Sequence, residues 1–97
     1  MSLNPQQCQF LRGLAHGKKP VVTVGSAGLT DSVTNEIDGA LEHHELLKIK
    51  LPPVHRLARR QLAETICAST RANLVHIVGR IAVVYRAANK PKLSLPI

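Results

Sequence analysis

Gly25-Ser26-Ala27-Gly28 follows the β-branched run Pro20-Val21-Val22-Thr23-Val24 and precedes a helix cap at Thr30 or Asp31. A GxxG turn between a strand and a helix lets backbone N–H groups approach phosphate oxygens with no Cβ in the way, and the following helix adds its positive N-terminal dipole. The same four residues also suit a tight turn that needs glycine for steric reasons alone. They are too short for a P-loop, and GxGxxG is absent. The cations around this turn fall in groups: Lys18 and Lys19, Lys48 and Lys50, Arg56, Arg59 and Arg60, then Arg80 and Arg86. Thirteen Lys and Arg against six Asp and Glu give a net charge of +7 with His neutral, and a pI near 10.1. Such a field attracts polyanions, either nucleic acid or an anionic membrane surface. A solvated surface explains any one group. The acids, however, gather mostly in the second helical segment, so a basic face beside an acidic one is expected.

Catalytic chemistry finds little to work with. Ser26 directly follows Gly25, so the GxSxG nucleophile elbow is not present. His43 and His44 are adjacent and point about 100° apart on a helix, which makes joint metal chelation awkward. His16, His55 and His76 stand alone in sequence, and no HxxxH pair occurs. Cys8 and Cys67 lie in apolar stretches without a CxxC pairing, the pattern of buried free thiols. No enzyme activity, cofactor, metal or small-molecule substrate is expected. The aromatic residues are Phe10 and Tyr85, both in apolar patterns that suit a core. A sheet that reads RNA by stacking needs exposed aromatics, so phosphate-and-groove binding of structured RNA is the mode left.

The elements that must position these groups follow from periodicity. Asn4-Pro5 reads as an N-cap and first helical residue, with Gln7 at the capping-box position and Phe10, Leu11, Leu14 and Ala15 at helical spacing up to Gly17. Pro20–Val24 reads as a strand. A second helix runs to about Glu45 with Val33, Ile37, Ala40, Leu41 and His44 as its apolar stripe, and Asn35, Asp38 and Glu42 on its solvated face. Leu46–Leu51 alternates, with Leu47, Ile49 and Leu51 on one face and Lys48 and Lys50 on the other. Pro52-Pro53 ends that strand. A third helix covers about Val54–Thr70 with Leu57, Ala58, Leu62 and Ile66 inward and the three arginines on another face. Leu74–Val78 and Arg80–Arg86 read as strands bent apart at Gly79, forming an antiparallel pair or one bent strand. Residues 89–97 form an irregular basic tail. The order α-β-α-β-α-β-β predicts an α/β fold, a single compact two-layer domain over residues 1–97. No apolar run reaches the ~20 residues of a membrane span and no signal segment opens the chain, so no membrane association and a cytoplasmic location are expected.

Leu11-Arg12-Gly13-Leu14-Ala15-His16, Lys19-Pro20-Val21-Val22, Val24 to Thr30, Ala40 to Lys48 and Val78 to Arg86 together resemble the CRM (chloroplast RNA splicing and ribosome maturation) domain family, and in particular its stand-alone bacterial YhbY-type members. The similarity runs in order along nearly the whole chain and reaches Lys92-Leu93-Ser94-Leu95-Pro96. It implies a fold similar to the C-terminal domain of translation initiation factor 3, and a GxxG loop that clamps a nucleic-acid backbone as in KH domains. It implies, as partners, ribosomal RNA and the precursor of the large ribosomal subunit; plant relatives promote group II intron splicing. The matching loop is Gly25, Ser26, Ala27 and Gly28, with no basic residue at its centre, so charge must come from Lys18, Lys19, Arg56, Arg59, Arg60, Arg80 and Arg86. The alternative is a protein-interaction module docking on a ribosomal protein or an assembly GTPase.

Overall fold

Local capping chemistry starts each helix where the sequence signals it. In the computed structural model, which describes residues 2–97, the Asn4 side chain accepts from the Gln7 N–H and the Gln7 side chain accepts from the Asn4 N–H. This capping box opens α1, Pro5–Ala15. Thr30 caps α2, Asp31–His44, through the Val33 N–H. His55 caps α3, Arg56–Thr70, its Nδ1 accepting from the Leu57 N–H. The strands are β1 (Val22–Thr23), β2 (Leu46–Lys50), β3 (Asn73–Val78) and β4 (Ile81–Tyr85). They form one sheet in the order β1-β2-β4-β3, with β1 parallel to β2 and the other pairs antiparallel. β1 is shorter than the Pro20–Val24 run, because an edge strand bonds on one side only and proline has no N–H to give. Hydrogen bonds from Val21 to Lys48 and from Val24 to Lys50 still hold its flanks along β2.

The α/β class and the element order agree with expectation, and β3 and β4 are an antiparallel hairpin. The layering differs. Alternation along β4 sends Ala82 and Val84 to one side, where Ile37, Leu41, Ala63, Ile66 and Cys67 of α2 and α3 complete a core with Leu47, Ile49 and Leu51. Val83 and Tyr85 go to the other side and pack with Leu11 and Ala15 of α1, Leu46 of β2, and Leu93 and Leu95 of the tail. Helices therefore cover both faces, so the two-layer expectation becomes three layers over part of the sheet. α1 precedes β1 and has no crossover role, which leaves it free to take the second face.

Several core assignments are corrected by the same geometry. Phe10 and Leu14 are exposed on α1, whereas Tyr85 is buried. Leu57 is 64% exposed and Ala58 is exposed too, because the first turn of α3 projects beyond the sheet; its buried residues are Ala63, Ile66, Cys67 and Thr70. His44 is exposed and Cys8 only half-buried. Burial pushes the Cys67 thiol up to about 11, with Glu64 adding to the shift, so it stays protonated. No helix among the described residues is long and apolar enough to cross a membrane.

Glu45 is the largest departure. It is 0% exposed, not part of a solvated acidic face. At φ 64° it ends α2 in the left-handed half of backbone space and turns the chain directly into β2. Its carboxylate accepts the N–H groups of Ala88 (2.8 Å), Lys92 (2.9 Å) and Leu93 (3.0 Å), which docks the irregular tail. Burial alone would raise its pKa, but those three donors and the Lys92 charge outweigh burial and hold it below the ordinary carboxylate value.

Candidate nucleic-acid interface

The parallel register of β1 on β2 decides where the GxxG turn lies. Val22 pairs with Ile49 and Thr23 with Lys50, so Gly25–Gly28 emerges beside the C-terminal end of β2. The turn closes through a 3.0 Å bond from the Gly28 N–H to the Gly25 carbonyl, with Gly28 at φ 77°. Gly25 has an ordinary φ and open space where a Cβ would stand. The neighbouring position is Leu51, whose N–H donates to the Arg80 carbonyl while Arg80 Nε donates back to the Leu51 carbonyl at 2.9 Å. Lys50 pairs with Ile81 across β2 and β4. The β3–β4 turn therefore stands at the same end of the sheet as the GxxG turn.

α3 begins at that end as well, because Pro52 and Pro53 turn the chain straight after β2. A cleft of about 250 Å³ between the start of α3 and the β3–β4 turn is lined by Arg56, Leu57, Arg59, Arg60, Ile77 and Gly79. Arg59 is half-buried there, and its Nε is buried without a hydrogen-bond partner. Arg60 has only an exposed 3.5 Å ion pair with Glu64, one turn on; such pairs contribute at most about 1 kcal/mol. The first turn of α3 has no acidic residue. Cations at a helix N-terminus face a like-signed dipole, a cost of roughly 0.3–1 kcal/mol each. An anionic ligand would reverse that sign.

The expected set divides in two. Gly25, Ser26, Ala27, Gly28, Arg56, Arg59, Arg60 and Arg80 come together at this end, and Lys50 joins them. Arg86 lies at the opposite end, next to Tyr85, which pairs with Leu46. Its Nη1 donates to Asp38 Oδ1 at 2.6 Å and to the Thr70 carbonyl at 2.8 Å, Nη2 lies 3.7 Å from Glu42, and the side chain is 16% exposed. This arginine staples β4 to α2 and α3, and the carboxylates of Asp38 and Glu42 already stand against its charge. Lys18 and Lys19 are exposed but enter at the start of the β1 run, away from the turn. The α2 dipole contributes less than expected, because Thr30 already occupies the Val33 N–H and Asp31 stands in the first turn.

Sequence reasoning missed Leu57 as a member of this surface, and it counted Lys50 among the nearby cations without placing it in the site. Leu57 matched the apolar stripe of α3, and nothing local shows that its turn overhangs the sheet. Lys50 had a signal, its alternation with Ile49 and Leu51, but its nearness to Arg80 depends on the β2–β4 register. Three or more His, Cys, Asp or Glu side chains converge nowhere among the described residues.

Residues 3–86 match the CRS1 / YhbY (CRM) domain. The chain belongs to this family. It is 42% identical over 95 residues to an RNA-binding protein of Haemophilus influenzae, covering 98% of this chain and 96% of the relative. It is 40% identical to a probable RNA-binding protein of Pseudomonas aeruginosa, covering 98% and 91%. The solution structure of a Staphylococcus aureus hypothetical protein, described as a candidate for RNA binding, superposes with a TM-score of 0.87 at 33% identity, over 98% of this chain and 100% of that one. The CRM membership and the α/β fold are thereby fixed independently of the motifs.

Proposed function

We propose that this CRM protein binds RNA through the end of the sheet that carries the GxxG turn, and that its RNA is ribosomal RNA of the large-subunit precursor, whose assembly it assists in the cytoplasm. The observation that carries the reading is that Gly25–Gly28, Arg80 and the Arg56, Arg59 and Arg60 cluster, from three separate parts of the chain, share one end of the sheet, where the α3 arginines line a cleft that holds an unpartnered arginine nitrogen. The RNA-binding descriptions of the relatives support it. Backbone N–H groups of the turn approach phosphates, the arginines neutralise them, and base identity is read little, which suits a folded RNA element. The protein does this as a binding factor and catalyses no step.

Lys50, Arg56, Arg59, Arg60 and Arg80 offer five cations at this end. If each neutralises a phosphate, binding falls with salt on a log–log slope of roughly −3.5 to −4.5. Gly25→Asp introduces a negative charge where the backbone has room and no strain. It should weaken RNA binding about tenfold with an unchanged melting temperature. Gly28→Asp tests the same contact less cleanly, since the left-handed φ adds strain of about 1 kcal/mol. Crosslinking in cells followed by sequencing of the bound RNA tests the ribosomal assignment. Reads concentrated on one region of large-subunit rRNA are expected. Reads spread by RNA abundance would overturn it in favour of docking on a ribosomal protein or an assembly GTPase.

A further inference from the structure

The second face of the sheet holds another basic surface that none of the GxxG chemistry uses. Between α1 and the sheet runs an open groove of about 880 Å³, within the roughly 300–1,000 Å³ range of ligand sites. Arg12 of α1, the C-cap residue His16, Lys48 of β2 and His76 of β3 line it, with apolar surface from Val78 and Ile81, and no acidic residue takes part. Val78 is 57% exposed.

A register shift in β3 builds this lining. Leu74 pairs with Val84 and His76 with Val83, so Val75 is an extra residue, a β-bulge. Leu74 packs into the core beneath α2 and α3, and uninterrupted alternation would send His76 and Val78 there after it. The bulge exchanges the faces. Ile77 joins that core, while His76 and Val78 line the groove. The groove also continues into the end of the molecule already described, because Val78 and Ile81 flank the β3–β4 turn that carries Gly79 and Arg80.

We infer that the α1–sheet groove takes a short single-stranded segment of RNA, a few unpaired nucleotides leading away from the element held at the GxxG end. Arg12 and Lys48 meet its phosphates, and the His76 ring with Val78 and Ile81 gives bases an apolar surface. This rests on the RNA reading above and extends it. RNA fits better than an extended acidic peptide, because the sheet contributes its face there. Lys48 is on β2, which is paired on both sides, and His76 reaches the groove from the face of β3, whereas strand addition would use the outer edge of β3.

The test compares a short RNA hairpin, blunt or with a three-nucleotide single-stranded tail, by fluorescence anisotropy at low salt. The tail is expected to tighten binding by the wild-type chain about fivefold. Arg12→Glu and His76→Ala should abolish that gain while blunt-hairpin affinity stays within twofold. Arg12 is exposed on α1, so its variant keeps the fold even if His76→Ala does not. Gly25→Asp should weaken both RNAs equally and retain the gain. Blunt binding without any tail effect would overturn the groove and leave the GxxG reading standing. Binding of neither RNA would overturn both. A tail effect that survives Arg12→Glu, or an acidic helical peptide that occupies the groove without competing with the tail, would also overturn the inference.

Discussion

The two ends of the sheet use arginine in opposite ways. At one end Arg86 is nearly buried, paired with Asp38 and Glu42, and bonded to the Asp38 carbonyl within α2 and to the Thr70 carbonyl that ends α3. At the other, Arg56 and Arg59 have no acidic partner among the described residues, Arg60 has a weak one, and the helix dipole beneath them has the wrong sign. Glu45 joins the first group by tying the tail down. One end spends its charges on stability, and the other leaves them available to a polyanion. Counting cations in the sequence cannot separate these roles, since the count is the same whether or not a carboxylate stands opposite.

The comparison can be broken most forcefully at Glu45. Glu45→Ala leaves three backbone N–H groups without their acceptor and should cost about 3 kcal/mol, read as a fall of roughly 15 °C in melting temperature. Faster hydrogen exchange at Ala88, Lys92 and Leu93 is expected with it. Because the native pKa of Glu45 is depressed, its contribution is complete above the unfolded carboxylate value and is lost as pH falls through the native one. The melting temperatures of wild type and variant should therefore converge in acid. Next comes Arg86→Ala, expected to cost about 1–2 kcal/mol of stability, a figure already reduced for the exposure of Asp38, with RNA affinity unchanged. A clear loss of RNA affinity in a folded Arg86→Ala protein would return Arg86 to the binding set.

Arg59→Ala should do the reverse. Loss of about 1 kcal/mol of binding, near fivefold in Kd, is expected with no loss of stability, since the removed Nε has no partner to lose. Arg60→Ala is the smallest effect. Its ion pair with Glu64 is exposed on both sides, so melting temperature should hardly move, while the salt slope of RNA binding should flatten by about 0.7–0.9. If Arg59→Ala and Arg86→Ala behave alike in both assays, the division between the ends is wrong.

How far the sequence reaches differs by element. α1 and α2 were legible because Asn4 with Gln7 and Thr30 with Val33 are local capping pairs, and β2 was legible because Leu47, Ile49 and Leu51 alternate. The GxxG turn was legible as a motif. Its company was not. Arg80 reaches the Leu51 carbonyl across 29 residues and Arg86 reaches Asp38 across 48, and nothing in the spacing of either distinguishes the arginine that meets a carboxylate from the one that meets only a backbone carbonyl. Leu57 failed for a related reason, since periodicity marks a helix face but not where the sheet beneath it ends.

By itself the sequence determined the helices, the strands, their order, the excess of positive charge and the resemblance to the CRM family, because these rest on interactions between residues a few positions apart or on composition. Only the tertiary structure decided which charges are spent. It buried Glu45 against a tail more than forty residues away, matched Arg86 with α2, and turned His76 out of the core through a bulge in β3. A charge's role depends on the dielectric and the partners around it, and those are set by strand register and packing across the fold, not by neighbours in the chain.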